Sequence, residues 1–311
     1  MPLNLPKGLP AIELLKKEHI FVMDDLRAAE QDIRPLKVVI LNLMPIKITT
    51  ETDLVRVLTN SPLQVELDFL KLSSHTSKNT PIEHLMAFYK DFDEIKKRNY
   101  DGMIITGAPV ELLDFEEVKY WKEMKKIFGW ARTHVTSTLY ICWAAQAGLN
   151  YFYGIPKYSL PEKQFGIFSH TVYDKGLPLF RGFDDVFYVP HSRHTEIRRE
   201  DILAHTDLTL LSESDESGVY IVMARGGREI FITGHSEYAP NTLHNEYTRD
   251  VEKGLNIKVP KNYYKNDDPS KPPVVRWRSH ANLLFTNWLN YYVYQQTPYN
   301  PEEIAALGNL T

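Results

Sequence analysis

The 311-residue chain is poor in cysteine and in net charge: it contains one cysteine, Cys142, and its formal net charge is −4. One cysteine excludes an internal disulfide and fits a reducing compartment. Without a basic excess or a Lys/Arg-rich block, nucleic acid is not expected as a partner. No apolar run approaches the roughly 20 residues that span a bilayer, and the start lacks the basic-then-apolar order of a signal peptide. These absences predict a cytoplasmic protein that works away from membranes.

The usual signatures of nucleotide and metal chemistry are also missing. Neither G-x-x-x-x-G-K nor G-x-G-x-x-G occurs in the chain, so a P-loop and a dinucleotide fingerprint have no support. His191 and His194 have a spacing that sometimes holds a metal, but no second ligand pair with finger or zincin spacing accompanies them. We interpret these histidines as solvent-facing or hydrogen-bonded, and we predict no metal and no bound cofactor.

What the sequence does contain is an alternation of strand-like and helix-like segments up to residue 150. The predicted strands cover residues 36–42, 64–70, 101–106 and 139–141, and the predicted helical segments cover residues 50–59, 81–98 and 118–128. Such alternation predicts an α/β fold with a mostly parallel sheet and helices on both faces. In these sheets the ligand crevice lies beyond the carboxyl ends of the strands.

After residue 150 the regular alternation of strands and helices ends. It contains a predicted hairpin (219–225 and 229–233), a helix (244–252), an exposed loop (258–273) and a terminal helix (279–294) whose Trp288, Tyr291 and Tyr292 suit a core. Neither a repeat nor a linker divides the chain. We therefore predict one domain, 1–311, with an N-terminal extension (1–35, including an amphipathic stretch at 11–23), an α/β core (36–255) and a C-terminal loop and helix (256–311).

Cys142 stands between the strand-like run ending at Ile141 and the small, helix-favouring residues that follow Trp143. A lone cysteine is most often an inert core residue. A thiol at a strand-to-helix turn, however, faces the unpaired N–H groups of the helix N-terminus, which favour the thiolate. This pattern is typical of a nucleophile elbow.

A second strand-like run, residues 228–233, leads to His235 and Glu237. Taken alone, these could be a strand-end histidine and a solvated carboxylate. Together with Cys142 they supply a nucleophile, a base and a group that orients the base, which is the composition of an acyl-transfer site. The backbone amides of Trp143 and of Ala108, in the turn at Gly107-Ala108, are predicted to form the oxyanion hole.

Several segments resemble the homoserine O-acyltransferases of methionine biosynthesis, a family similar to class I glutamine amidotransferases in fold. The likeness covers nearly all of residues 1–300. It rests on Leu41-Asn-Leu-Met-Pro45, Ile105-Thr-Gly-Ala-Pro-Val-Glu111, Ile141-Cys-Trp-Ala-Ala-Gln-Ala-Gly148, Val189-Pro-His-Ser-Arg-His-Thr195, Gly234-His-Ser-Glu-Tyr238 and Glu246-Tyr-Thr-Arg249-Asp.

The resemblance implies a flavodoxin-like core and a two-step, ping-pong reaction with an acyl-coenzyme A as co-substrate. Cys142 would take the acyl group as a thioester, and His235 would deprotonate the hydroxyl of L-homoserine for attack on it. Residues matching Lys163, Ser192 and Arg249 surround homoserine in the family, and a guanidinium suits a carboxylate. The family is also similar in being homodimeric.

Glu111 bears on which acyl group is transferred. It lies on the loop after Gly107, so its carboxylate is expected to border the acyl pocket and to repel the free carboxylate of succinyl. Family members with glutamate at the matching position look like acetyltransferases, and those with glycine look like succinyltransferases. We therefore expect acetyl-coenzyme A as the donor, with succinyl-coenzyme A as the alternative.

Two other classes of protein remain open from the sequence. A glutaminase would use the same three groups and a similar thioester, but this chain has no ATP-binding half and its cysteine is followed by Trp-Ala-Ala. A non-catalytic binding protein on the same fold would have an unreactive Cys142.

Overall fold

The computed structural model describes residues 3–5, 22–24, 35–75 and 79–307. Leu3–Leu5 (β1) and Val22–Asp24 (β2) pair in parallel as a separate two-stranded sheet. The predicted amphipathic stretch at 11–23 lies outside the described residues except for its last two positions. No helix of the described ranges combines the length and apolar character needed to cross a membrane.

The main sheet of the described residues has ten strands. From one edge to the other these are β5 (Tyr89–Lys90), β4 (Val65–Leu70), β3 (Leu36–Leu41), β6 (Tyr100–Ile105), β7 (Val135–Ile141), β12 (Glu229–Ile232), β11 (Gly218–Ala224), β10 (Leu208–Ser214), β8 (Tyr158–Val172) and β9 (Val186–Glu196). The first six strands are mutually parallel, and each of the last four pairs antiparallel with its neighbour.

Helices cover this sheet from both sides. They are α1 (Lys47–Leu58), α2 (Ile82–Phe88), α3 (Phe92–Ile95), α4 (Trp121–His134), α5 (Trp143–Tyr153), α6 (Arg199–Leu203), α7 (Thr242–Glu252), α8 (Arg278–Asn287) and α9 (Ile304–Leu307). Buried residues of α4 and α5 pack on one face, and those of α1 and α8 pack on the other. The predicted α/β class, with a mostly parallel sheet between two helical layers, is confirmed.

Strand β7 lies in the middle of the sheet, between the two helical layers. All seven of its residues are buried, because a central strand with a helix layer on each face has no solvent side. Its neighbour β12 runs parallel to it with Ile141 opposite Ile232. Both strands therefore end at the same edge of the sheet, and the residues that follow them, Cys142 and the 233–238 segment, emerge side by side.

Three predictions about local structure were incomplete. Residues 81–98 form two short helices separated by β5. The terminal helix changes at Trp288 from α-helix to a π-helix, Trp288–Tyr294, in which Trp288, Tyr291 and Tyr292 are buried as predicted. The long strands β8 and β9 were not predicted.

The prediction of an exposed loop at 258–273 was wrong in part. Lys261 pairs with β8 through hydrogen bonds from its N–H to the Phe165 carbonyl and from the Ile167 N–H to its own carbonyl, at 3.0 and 2.8 Å. Tyr263 and Tyr264 are buried. Polar composition suggested exposure, but a tyrosine can bury its ring when its hydroxyl finds a partner, and Tyr263 Oη accepts the His244 N–H at 3.1 Å.

Candidate active site

Cys142 is the residue between β7 and α5, and its backbone is strained. It has φ 53° and ψ −114°, a conformation that a residue with a side chain rarely adopts. The surrounding hydrogen bonds hold it there: its N–H donates to the Ile232 carbonyl at 2.7 Å, and its carbonyl accepts the Ala145 N–H at 3.0 Å. The thiol is thereby held at the N-terminus of α5, whose first N–H groups have no partner within the helix.

His235 and Glu237 form a buried pair beside this turn. Nδ1 of His235 lies 2.7 Å from Oε1 of Glu237, and the two residues are 4% and 7% exposed. The His235 N–H donates to the Pro190 carbonyl at 2.8 Å, and its ring stacks on Tyr238 with centroids 4.1 Å apart. The carboxylate thus fixes the proton on Nδ1, which leaves Nε2 for the nucleophile.

The charge of His235 depends on both of its neighbours. Burial disfavours the imidazolium, but the negative charges of Cys142 and Glu237, and hydrogen bonds to both, outweigh it and raise the pKa of His235 well above its usual value. This arrangement therefore favours a protonated His235 beside Cys142.

Gly107, in the turn after β6, has no side chain, and this allows the turn to approach the nucleophile closely. A Cβ at Gly107 would lie 3.2 Å from Cβ of Cys142, 3.7 Å from its Sγ and 3.6 Å from Cε1 of His235. This one position is therefore in contact distance of both side chains, and any larger residue would crowd them. The oxyanion hole is predicted beside this position, from the N–H groups of Trp143 at the start of α5 and of Ala108 in the turn after β6.

Glu111 lies on the same turn as Gly107 and is half-buried. Burial raises the pKa of its carboxyl, and the nearby His194, His235 and Lys163 act in the opposite direction. Lys157 supports the turn from outside by donating to the carbonyls of Glu111 and Leu113. The structure thus places Glu111 within electrostatic reach of the base and of Lys163.

Lys163, Ser192 and Arg249 come together around a carboxylate that the sequence analysis did not assign. Oε1 of Glu246 accepts from Nζ of Lys163 at 2.9 Å and from Oγ of Ser192 at 2.8 Å, and Nη2 of Arg249 lies 3.8 Å away. Arg249 also bonds Asp250, at 2.7 Å. Glu246 and Arg249 are three positions apart on a predicted helix, so their side chains lie on the same face. This spacing could have indicated that Glu246 belongs to the site.

Tyr238 interacts electrostatically with both this cluster and the Cys142–His235–Glu237 group. Burial, followed by the charges of Glu246, Glu237, Cys142 and Glu111, raises its pKa well above the usual value. One aromatic side chain is thus within electrostatic range of all these groups while it stacks on His235.

Comparison with solved structures identifies the fold. A glutamine amidotransferase from Thermotoga maritima superposes with a TM-score of 0.54 at 14% identity, covering 83% of this chain and 98% of that one. A glutamine amidotransferase from Methylobacillus flagellatus superposes with a TM-score of 0.51 at 9% identity, covering 83% and 95%. The predicted likeness to class I glutamine amidotransferases is confirmed at the level of fold.

Comparison by sequence is more specific. A protein of Parabacteroides distasonis named homoserine O-acetyltransferase is 73% identical over 310 residues, which cover the whole of both chains. A protein of Bacteroides fragilis with the same name is 72% identical over 304 residues, covering 98% of this chain and all of that one. The sequence model of homoserine O-succinyltransferase matches residues 2–299. The chain therefore belongs to the homoserine O-succinyltransferase family of acyltransferases.

Proposed function

We propose that this protein transfers an acetyl group from acetyl-coenzyme A to the hydroxyl of L-homoserine through a thioester on Cys142. The observation that carries the proposal is the strained Cys142 turn beside the His235–Glu237 pair at 2.7 Å. Relatives about 70% identical are named for this activity. The test is intact-protein mass spectrometry after the protein is mixed with acetyl-coenzyme A or with succinyl-coenzyme A. We expect one acetyl group on Cys142 from acetyl-coenzyme A, and we expect homoserine to remove it. An unmodified cysteine during turnover would contradict the covalent route.

His235 carries the proton between the two half-reactions. The Cys142 thiolate attacks the donor carbonyl, coenzyme A leaves as a thiolate, and the imidazolium of His235 gives that thiolate a proton. Acylation also removes the negative charge of Cys142, a large contribution to the raised pKa of His235. The neutral imidazole can then take the proton of the homoserine hydroxyl as its oxygen attacks the thioester. Departure of the Cys142 thiolate restores the starting ion pair.

The Glu246 cluster suits the amino-acid end of homoserine. Its carboxylate can accept hydrogen bonds from the substrate ammonium, while Arg249 and Lys163 supply positive charge for the substrate carboxylate. Ser192 already donates to Glu246 and can orient the bound amino acid through its hydroxyl. We therefore assign substrate binding to Lys163, Ser192, Glu246 and Arg249. A homodimer in the cytoplasm remains the prediction for the assembled enzyme.

Acetyl is favoured over succinyl by the position of Glu111, although the matching family is named for succinyl. Two like charges about 6 Å apart at an effective dielectric near 20 repel by about 3 kcal/mol, which is on the order of a hundredfold in rate. The carboxylate is charged above its pKa and neutral below it. The preference for acetyl should therefore increase as the pH rises through that raised pKa and weaken in acid.

Replacement of Glu111 by glycine is expected to shift the ratio of kcat/KM values for acetyl- and succinyl-coenzyme A towards succinyl by on the order of a hundredfold. Steady-state rates with the two donors measure the ratio. Glu111→Gln is the matched control because it removes the charge and keeps the volume. A shift in both variants assigns the effect to charge, a shift in glycine alone assigns it to space, and no shift in either removes Glu111 from the acyl pocket.

Replacement of Glu237 by glutamine is expected to lower kcat by on the order of a hundredfold and to leave Cys142 able to accept an acyl group. An amide no longer holds the proton on Nδ1, so the base is oriented incorrectly for deprotonating homoserine. Mass spectrometry should find acyl-enzyme accumulating in the presence of homoserine. Glu246→Gln is the comparison, with a raised KM for homoserine as its main effect. If Glu237→Gln raised only that KM, Glu237 would be a ligand of the substrate ammonium instead.

A further inference from the structure

Behind the site lies a buried polar network that the proposed reaction steps do not use. Its members are at most 3% exposed and come from β8, β9 and the turn before β11: His170, His191, Arg193, Thr195 and Ser217. Buried polar groups on this scale are stable only when each finds a partner. Arg193 contacts three of the other members, and these contacts indicate what the network does.

The guanidinium of Arg193 determines where the imidazole protons lie. Its Nε–H donates to Nδ1 of His191 at 3.3 Å, and a guanidinium can only donate. The proton of His191 is therefore on Nε2, which lies 3.2 Å from Nε2 of His170. His170 in turn donates from Nδ1 to the Phe168 carbonyl at 3.0 Å. Both imidazoles are neutral in this chain, so Arg193 carries the charge of the network.

The network contacts the two segments of the chain that carry the base and the nucleophile. On one side, a Cβ at Gly234 would be only 2.9 Å from Nε2 of His191, so the network packs directly under the backbone that leads to His235. On the other side, Nη1 of Arg193 donates to the Thr195 carbonyl at 2.7 Å. The same carbonyl accepts from Nε2 of Gln146 at 3.2 Å, and Gln146 lies in the first turn of α5, just after Cys142.

Among the described residues, no carboxylate forms a salt bridge with Arg193. Its remaining contact is with the Ser217 carbonyl, and within residues 35–75 and 79–307 its hydrogen bonds go to neutral acceptors. Burial lowers its pKa, and Cys142, then Glu196 and Glu111, are the negative groups that oppose this. An isolated buried cation is costly unless an anion compensates it. The Cys142 thiolate is suited to be that anion.

We propose that Arg193 is a positioning residue that keeps a fixed positive charge behind Cys142 and so favours the thiolate whatever the protonation state of His235. This inference rests on the proposed function. His235 loses its proton during the cycle, whereas a guanidinium does not. The charged and titratable groups around the thiol are His235 with Glu237 hydrogen-bonded to it, Tyr238, Arg193 and Glu111, together with the N-terminus of α5. The fixed charge would also stabilise Cys142 as the leaving group when homoserine attacks.

The test is the pH dependence of Cys142 alkylation by iodoacetamide, which reports the thiolate and needs neither substrate. In Arg193→Met the midpoint is expected to rise by about one pH unit or more, because a nearby charge is removed. In Arg193→Lys it should stay near that of the unmodified protein. Thr195→Val is the matched control: it breaks the bond from Thr195 Oγ1 to Gln146 Oε1 without changing charge, and its midpoint should not move.

An unchanged midpoint in a folded Arg193→Met protein would overturn the proposal. If circular dichroism shows that this variant does not fold, His235→Asn decides with Arg193 in place. The midpoint of that variant should stay below the roughly 8.5 of an ordinary cysteine, and a value at or above it would overturn the proposal as well. A native Cys142 that fails to react at any pH would instead contradict the proposed function, so the two failures are distinguishable.

Discussion

Cys142→Ser is expected to leave a folded protein whose acyl transfer is at least about a thousandfold slower. Serine is nearly isosteric with cysteine and can occupy the strained turn, where the hydrogen bonds from and to the backbone hold the residue. Its hydroxyl ionises far less readily than a thiol, and the imidazolium–thiolate pair that the site favours cannot form with it. Steady-state acetyl transfer to homoserine measures the loss, and mass spectrometry should show no acylated protein.

Thermal unfolding is the control that separates chemistry from folding. Cys142 is 6% exposed, and replacing sulfur by oxygen changes the core volume little, so Tm should stay close to that of the native protein. A Cys142→Ser protein with near-native activity would exclude the covalent mechanism. The reaction would then have to proceed by direct attack of homoserine on the acyl-coenzyme A.

His235→Asn is expected to lower kcat/KM by on the order of a thousandfold, within the usual range for loss of a general base. The asparagine amide can still donate to Glu237, so that the buried carboxylate keeps a partner. It can neither protonate the departing coenzyme A nor accept the proton of homoserine. Both half-reactions should therefore slow, in contrast to Glu237→Gln.

Single-turnover experiments measure the two half-reactions of His235→Asn separately. Release of coenzyme A reports acylation, and appearance of O-acetylhomoserine reports the transfer. Tyr238→Phe is the comparison, because it keeps the ring that stacks on His235 at 4.1 Å and removes only the hydroxyl. Normal acylation in His235→Asn would mean that His235 does not act on the first step.

The strand-to-helix junction at Cys142 could be predicted because the residues on either side of it indicate where the strand ends and the helix begins. The apolar run that ends at Ile141 and the small residues after Trp143 match where β7 ends and α5 begins. That His235 comes beside Cys142 could not be read from spacing, since 93 positions separate them. It follows from the pairing of β12 with β7, which is a property of the whole sheet.

The long antiparallel strands escaped prediction for a physical reason. β8 contains Pro161, the polar run that follows it and a shift of register between Ser159 and Gln164, and β9 contains Pro190. Proline and irregular alternation weigh against a strand. Yet these strands supply Lys163, Ser192 and Arg193, so the least regular part of the sequence provides the polar half of the site.

Glu246 and the network around Arg193 show a second limit. Sequence patterns indicate which residues suit a helix or strand, but they do not show which buried charges end up facing each other. The roles inferred for Lys163, Ser192 and Arg249 therefore came from a resemblance, and the carboxylate on which they converge became visible only in three dimensions.

The π-helix Trp288–Tyr294 has a consequence for how the protein is made. Nε1 of Trp288 donates to Oγ of Ser137 in β7 at 2.9 Å, and its ring lies against Gly102 of β6, where a Cβ would be 3.0 Å away. During translation, Cys142, His235 and Glu237 are all synthesised well before this segment. Until this segment is synthesised, β6 and β7, which lead to Gly107 and Cys142, lack the packing that Trp288 provides beside Gly102 and Ser137. The nascent chain therefore contains all its reactive groups before it contains the packing that aligns them, and we expect catalytic competence only after this π-helix docks.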